Sequence, residues 1–154
     1  MSTTRNLLLA IMSSVITLTS FCSFADDGIV RVKSAHNVPE TMNKLEMALI
    51  NKGMTIFKHI SHSDGAAKFD LKLRPTELLI FGNPKVGTPL MQCGQTTALD
   101  LPQKALAYED ENGHVWLLYN DPEYVADRHD VENCADVISK ISNALANLAR
   151  AATE

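Results

Sequence analysis

Residues 76–94, TELLIFGNPKVGTPLMQCG, constrain the fold of this chain more than any other stretch. Leu78, Leu79, Ile80 and Phe81 run without a polar break. Such a run reads as a strand buried on both faces, so the rest of the chain must supply cover for it. The run stops at Gly82. Asn83-Pro84, Gly87 and Thr88-Pro89 then follow within seven positions. Glycine permits backbone conformations closed to other residues, and proline fixes φ. Thr88 reads as a helix N-cap with Pro89 at the first helical position, which makes residues 82–87 a shaped loop and residues 88–94 a short helix.

The flanking segments supply the cover. Residues 28–35 alternate apolar and polar and read as a strand. Residues 37–53 read as a helix with Val38, Met42, Leu45 and Leu49 on one stripe, Pro39 and Glu40 in its first turn and Gly53 as terminator. Residues 54–60 form a second strand. A loop and a short helix ended by Pro75 lead into the central run. Residues 103–110 and 114–120 make two further strands joined by the turn Asp110–Gly113. Asp121 caps a helix that starts at Pro122. Residues 135–152 form the longest helix, with Val137, Ile138, Ile141, Leu145 and Leu148 on its buried face and Ala144 and Ala149 beside them. This order predicts an α+β, two-layer sandwich with a mostly antiparallel five-stranded sheet and a long C-terminal amphipathic helix.

The first 25 residues are excluded from this domain. Arg5 precedes an apolar run, Leu7 to Leu18, that is too short to span a bilayer, and Ser23-Phe24-Ala25 reads as a cleavage site. A cut after Ala25 leaves one domain, 26–154, in the periplasm or outside the cell. Cys22 with a lipid anchor is the competing reading, and Phe21 before it argues against that. No second apolar run approaches membrane length, so no membrane association is expected after cleavage. The net charge of −4 and the scattered Lys and Arg exclude a nucleic-acid surface.

Two cysteines remain in the processed chain, Cys93 and Cys134. An even number in an oxidising compartment favours a disulfide over two separate buried thiols. In the last hairpin both faces are apolar, with Val115, Leu117 and Tyr119 on one side and Trp116 and Leu118 on the other. A two-layer domain covers one face only, so the second face either is mostly polar or meets a partner, and a homodimer through it is the hypothesis.

Three pieces, RPTELLIFGNPKVGTPLM, ALDLP and YNDPEYVADRH, resemble the bacterial and archaeal family called domain of unknown function 302. The resemblance runs from about Val30 to the C-terminus. It implies a compact α+β domain and supplies no reaction. The family's usual Asp-His after the second strand is Ser61-His62 here, which keeps the histidine and loses the acid.

The residues themselves point to one candidate site. Free N–H groups at the expected helix start, the Lys85 charge and the side chains of Asn83 and Thr88 are suited to a small anionic ligand, with Gly87 shaping the loop and His62 as neighbour. The pattern lacks the Gly-Lys-Ser/Thr ending of a P-loop. His59, His62 and Asp64 lack the spacing and fourth group of a zinc site, and the methionines are dispersed, so no metal or cofactor is expected. Three readings stay open. The first is a binding or interaction module for a small anionic ligand or a protein partner. The second is an enzyme with His62 as acid/base and Lys85 as anion holder. The third is a structural homodimer without ligand. The first is preferred, and no catalytic residue is assigned.

Overall fold

The computed structural model describes residues 27–154. The signal segment, its cut after Ala25 and Cys22 lie outside the described residues. Five strands, β1 (Ile29–Ser34), β2 (Thr55–Ser61), β3 (Thr76–Gly82), β4 (Gln103–Glu109) and β5 (Val115–Asn120), form one sheet in the order β1-β5-β4-β3-β2. Every neighbouring pair is antiparallel. The fold is α+β.

The helices α1 (Val38–Asn51) and α5 (Ala135–Thr153) lie together against one face of this sheet. The stripe Val38, Met42, Leu45 and Leu49 is buried as its spacing requires, and Ile141, Leu145 and Leu148 of α5 join it. Ala149 and Ala152 are buried on α5, whereas Ala144 is exposed. From the sheet come Leu79, Phe81, Leu117 and Tyr119. Burying each Leu or Phe side chain contributes about 1.5–3 kcal/mol, so this cluster is the main source of stability. Asn37 begins α1 by accepting the Glu40 N–H at 2.9 Å. Gly53, at φ 71, reverses the chain after α1 at a backbone angle that a side chain would strain.

Three expectations need correction. The helix α3 spans Pro84–Cys93, one turn earlier than Thr88-Pro89 suggested, and Pro89 lies inside it. Residues 83–87 are therefore a helical turn and not a loop. The strand β3 is buried on one face only. Leu79 and Phe81 point to the helices, while Leu78 and Ile80 are half-buried on the open face, because among the described residues no second helical layer covers it. The helix α2 (His62–Ala67) follows β2 with no intervening loop. Ser61 caps it by accepting the Asp64 N–H at 3.1 Å, a role an aspartate at that position would also fill.

The remaining elements hold the far end of the sheet. A 3₁₀ turn at Gln95–Leu99, absent from the sequence reading, joins α3 to β4. The helix α4 (Pro122–Arg128) starts at Asp121, whose carboxylate accepts the Glu123 N–H at 2.9 Å. Val115, Leu117 and Tyr119 face the helices, and Trp116 and Leu118 face away, as alternation predicts. Among the described residues no helix is long and apolar enough to cross a membrane.

Candidate functional site

The helix α3 has little intrinsic reason to be a helix. Within its ten residues stand Pro84, Gly87, Thr88 and Pro89. Pro89 removes the N–H that would bond to Lys85, and Gly87 costs about 1 kcal/mol relative to alanine. Tertiary anchors offset this. At the start, Asn83 accepts the Lys85 N–H with Oδ1 at 2.9 Å and donates Nδ2 to the Gly53 carbonyl at 2.8 Å. In the middle, Leu90 is fully buried. At the end, Cys93 and Cys134 stand in disulfide geometry with Cα atoms 6.3 Å apart. Gly94 then passes so close to Val131 that a Cβ there would lie 2.8 Å from Cγ2.

Held in this way, α3 forms one wall of a pocket of about 300 Å³. Met54 and Phe57 line it from the start of β2, Leu101 and Pro102 from the approach to β4, and Ile141 from α5. Most of the lining is apolar. Phe57 is 53% exposed and Val86 40% exposed, so the mouth is apolar as well. Phe57 sits at a bulge in β2, where the register shifts between Ile56 and Lys58. That extra residue brings its ring against Gly82, where an added Cβ would lie 3.3 Å from Cε2. Thr88 and Gln103 add polar groups to the lining. Gly87 faces the pocket with an ordinary helical φ, and a Cβ added there would touch only Leu101, at 3.8 Å. Neither backbone strain nor close packing requires glycine at this position.

The five sequence-derived site residues separate into two groups. Asn83, Gly87 and Thr88 line the pocket, and Lys85 is exposed between its lining neighbours Pro84 and Val86. The expected free N–H groups are not available. Pro84 has none, the Lys85 N–H is capped by Asn83 Oδ1, and those of Val86 and Gly87 both bond to the Asn83 carbonyl at 2.9 Å. His62 is elsewhere. It follows Ser61, which pairs with Glu77, whereas Asn83 follows Gly82, which pairs with Thr55. These are opposite ends of β3, about 20 Å apart at strand rise. The enzyme reading thereby loses its only named base from the vicinity of α3.

Two polar clusters were not legible in the sequence. His129 Nε2 and Asp100 Oδ2 are 2.7 Å apart, and Arg128 reaches the other Asp100 oxygen at 3.2 Å. Asp100 stands between Ala98 and Leu101, which both line the pocket, so the cluster fastens that wall to the end of α4. Both partners fall in the motifs ALDLP and YVADRH, which is the one sequence signal that marked them. His59 pairs with Glu77 at 2.7 Å across β2 and β3. Among the described residues no group of three or more His, Cys, Asp and Glu is placed to hold a metal ion.

The profile of the family described as "Domain of unknown function DUF302" matches residues 30–148. This chain belongs to the DUF302 family. A solved relative, an uncharacterized conserved DUF302 protein from Bacillus stearothermophilus, superposes with a TM-score of 0.73. It is 18% identical, with 82% of this chain and 98% of that one covered, so the likeness is one of fold. Two Brucella proteins are nearer in sequence. "Fluoride-specific ion channel FluC 1" of Brucella suis is 47% identical over 118 residues, which are 77% of this chain and 46% of that protein. The protein of the same name from Brucella abortus is 47% identical over 118 residues, 44% of its length. The DUF302 chain therefore spans less than half of these relatives.

Proposed function

We propose that this DUF302 protein is a binding module of an exported compartment, whose pocket beneath α3 receives a small molecule with an apolar body and a polar or anionic end. The observation that carries this reading is the apolar pocket of about 300 Å³ with Gly87 in its wall. Ligand pockets of this size are lined mainly by apolar side chains with a few polar groups that set orientation. Here Met54, Phe57, Leu101 and Ile141 meet the body. Thr88 and Gln103 meet the polar end, and the exposed Lys85 supplies charge at the rim. No proton-transfer step is part of this reading, because His62 is remote.

The test is a thermal-shift and native mass-spectrometry panel of medium-chain carboxylates and indole-type acids, with Gly87→Leu as the pocket-filled control. A bound species whose stabilisation disappears in the control supports the reading. Stabilisation that is equal in both proteins contradicts it.

The Brucella relatives favour a second reading, in which the domain is the accessory part of a membrane protein. The matched region makes up 46% and 44% of proteins named as fluoride-specific ion channels, so in them the domain is covalently attached to something else. On this reading the pocket or the open sheet face takes a protein partner. Co-purification of the tagged protein with a membrane protein from its own cells, lost on substitution of Phe57 or Trp116, tests it.

A further inference from the structure

The segment that joins α2 to β3 carries Phe69, Leu71 and Leu73, which are 78%, 65% and 49% exposed. Phe69 and Leu71 are more exposed than nearly every other large apolar side chain described, and all three fall within five residues. They alternate with Lys68, Asp70, Lys72 and Arg74. The local balance is three cations against one anion, in a chain whose net charge is −4.

The shape of this segment is built into the fold. Asp70 takes a left-handed conformation, φ 56, which aspartate tolerates better than most residues. The Leu71 N–H closes back on the Ala66 carbonyl at 3.1 Å and the Asp70 N–H on Ala67 at 3.1 Å. At the other end Arg74 Nε donates to the Glu109 carbonyl at 3.1 Å. The apolar side chains are therefore presented from a tethered arm. Lys68 and Lys72 are exposed and have no acidic partner among the described residues.

We infer that residues 68–74 are a docking arm for an anionic lipid bilayer surface, with Phe69, Leu71 and Leu73 entering the headgroup–acyl boundary and Lys68 and Lys72 meeting lipid phosphates. Interleaved cations and large apolar groups suit that boundary, where shallow apolar burial and surface charge act together. Charge disfavours a second copy as occupant. A two-fold contact through the arm brings together two segments that carry the same net positive charge. The open sheet face of another copy presents Lys33 and Lys58, which are exposed and basic too.

Co-sedimentation of the purified protein with vesicles tests this inference. Phosphatidylglycerol mixed with phosphatidylcholine should carry the protein down, and phosphatidylcholine alone should not. Lys68→Gln/Lys72→Gln should weaken binding roughly 25-fold, at about a factor of five for each lysine lost. Phe69→Ser/Leu71→Ser should abolish it at equal charge. All four side chains are exposed, so an unchanged melting temperature will show that the variants fold. Equal sedimentation of wild type and variants, or binding indifferent to lipid charge, overturns the inference. So does light scattering that shows a dimer lost in Phe69→Ser/Leu71→Ser.

Discussion

Asn83 fastens two parts of the chain at once, holding α3 with its side-chain oxygen and the turn at Gly53 with its amide nitrogen, at 2.9 and 2.8 Å. A helix with two prolines and a glycine depends on such a cap. Asn83→Ala should destabilise the protein by about 1 kcal/mol, the usual cost of a lost N-cap. Asn83→Asp keeps the cap oxygen but sets a carboxylate oxygen against the Gly53 carbonyl, so it should still destabilise. Asn83→Ser, which keeps a cap oxygen without that repulsion, should cost less than either. Urea unfolding of these proteins checks the order.

The opposite end of α3 makes a larger prediction. Cys93 and Cys134 are 41 residues apart in sequence. Closing a loop of that length restricts the unfolded chain by about 4 kcal/mol in the chain-entropy model. Cys93→Ser/Cys134→Ser should therefore lower stability by several kcal/mol. Reductant should lower the melting temperature of the wild type and leave that of the variant unchanged. A thiol assay that finds two free cysteines before reduction contradicts this.

These two anchors also explain what sequence reasoning placed wrongly. Asn83-Pro84 and Thr88-Pro89 both have the form of a capped helix start. Asn83 prevails because its amide also meets the Gly53 carbonyl, a contact 30 residues away that no local pattern encodes. Pro89 is then carried inside the helix, held by Leu90 beside it. The stripes on α1 and α5 and the hairpin were legible because each depends on local spacing, and the cysteine pair because two cysteines remain once the signal segment is set aside. The pocket was not, since Met54, Phe57, Leu101 and Ile141 meet only through the order of the sheet. His62 was grouped with Asn83 because the family pattern keeps a histidine there and an imidazole suits acid/base work, with no local signal of its position. The antiparallel register of β2 and β3 places them at opposite ends.

The hairpin between β4 and β5 should be acid-sensitive. Asp110 is held down to about 2, first by the hydrogen bond from the Trp116 indole N–H and further by the His114 and Asn112 backbone N–H groups, against some desolvation. A carboxyl lowered in the folded state adds stability above its ordinary range and loses it as pH falls toward the lowered value. Between pH about 4 and 2 the Asp110–Trp116 contact should weaken. Trp116 is the chain's single tryptophan, so its fluorescence reports the change directly. Asp110→Asn should remove that transition.

The Asp100–His129 contact is nearly closed to solvent, with the two side chains 12% and 7% exposed. Asp100→Ala leaves the His129 ring without its partner and should cost about 1–3 kcal/mol. Asp100→Asn retains an acceptor and should cost less. Because Asp100 is flanked by pocket residues, the alanine variant should also weaken ligand binding, while a change at His62 should not. Isothermal titration of the two variants separates these effects.

Gly87 offers the most direct measurement. Its φ is ordinary and its Cβ position is open, so Gly87→Ala should stabilise α3 by about 0.5–1 kcal/mol while narrowing the pocket. Amide chemical shifts of wild type, Gly87→Ala and Gly87→Leu, followed by NMR during titration with a medium-chain carboxylate, test the central claim. Saturable shifts that map to Met54, Phe57, Leu101 and Ile141 in the wild type, smaller in the alanine variant and absent in the folded leucine variant, are the expected result. Shifts that are unchanged by filling the pocket, or that centre on His62, would contradict it.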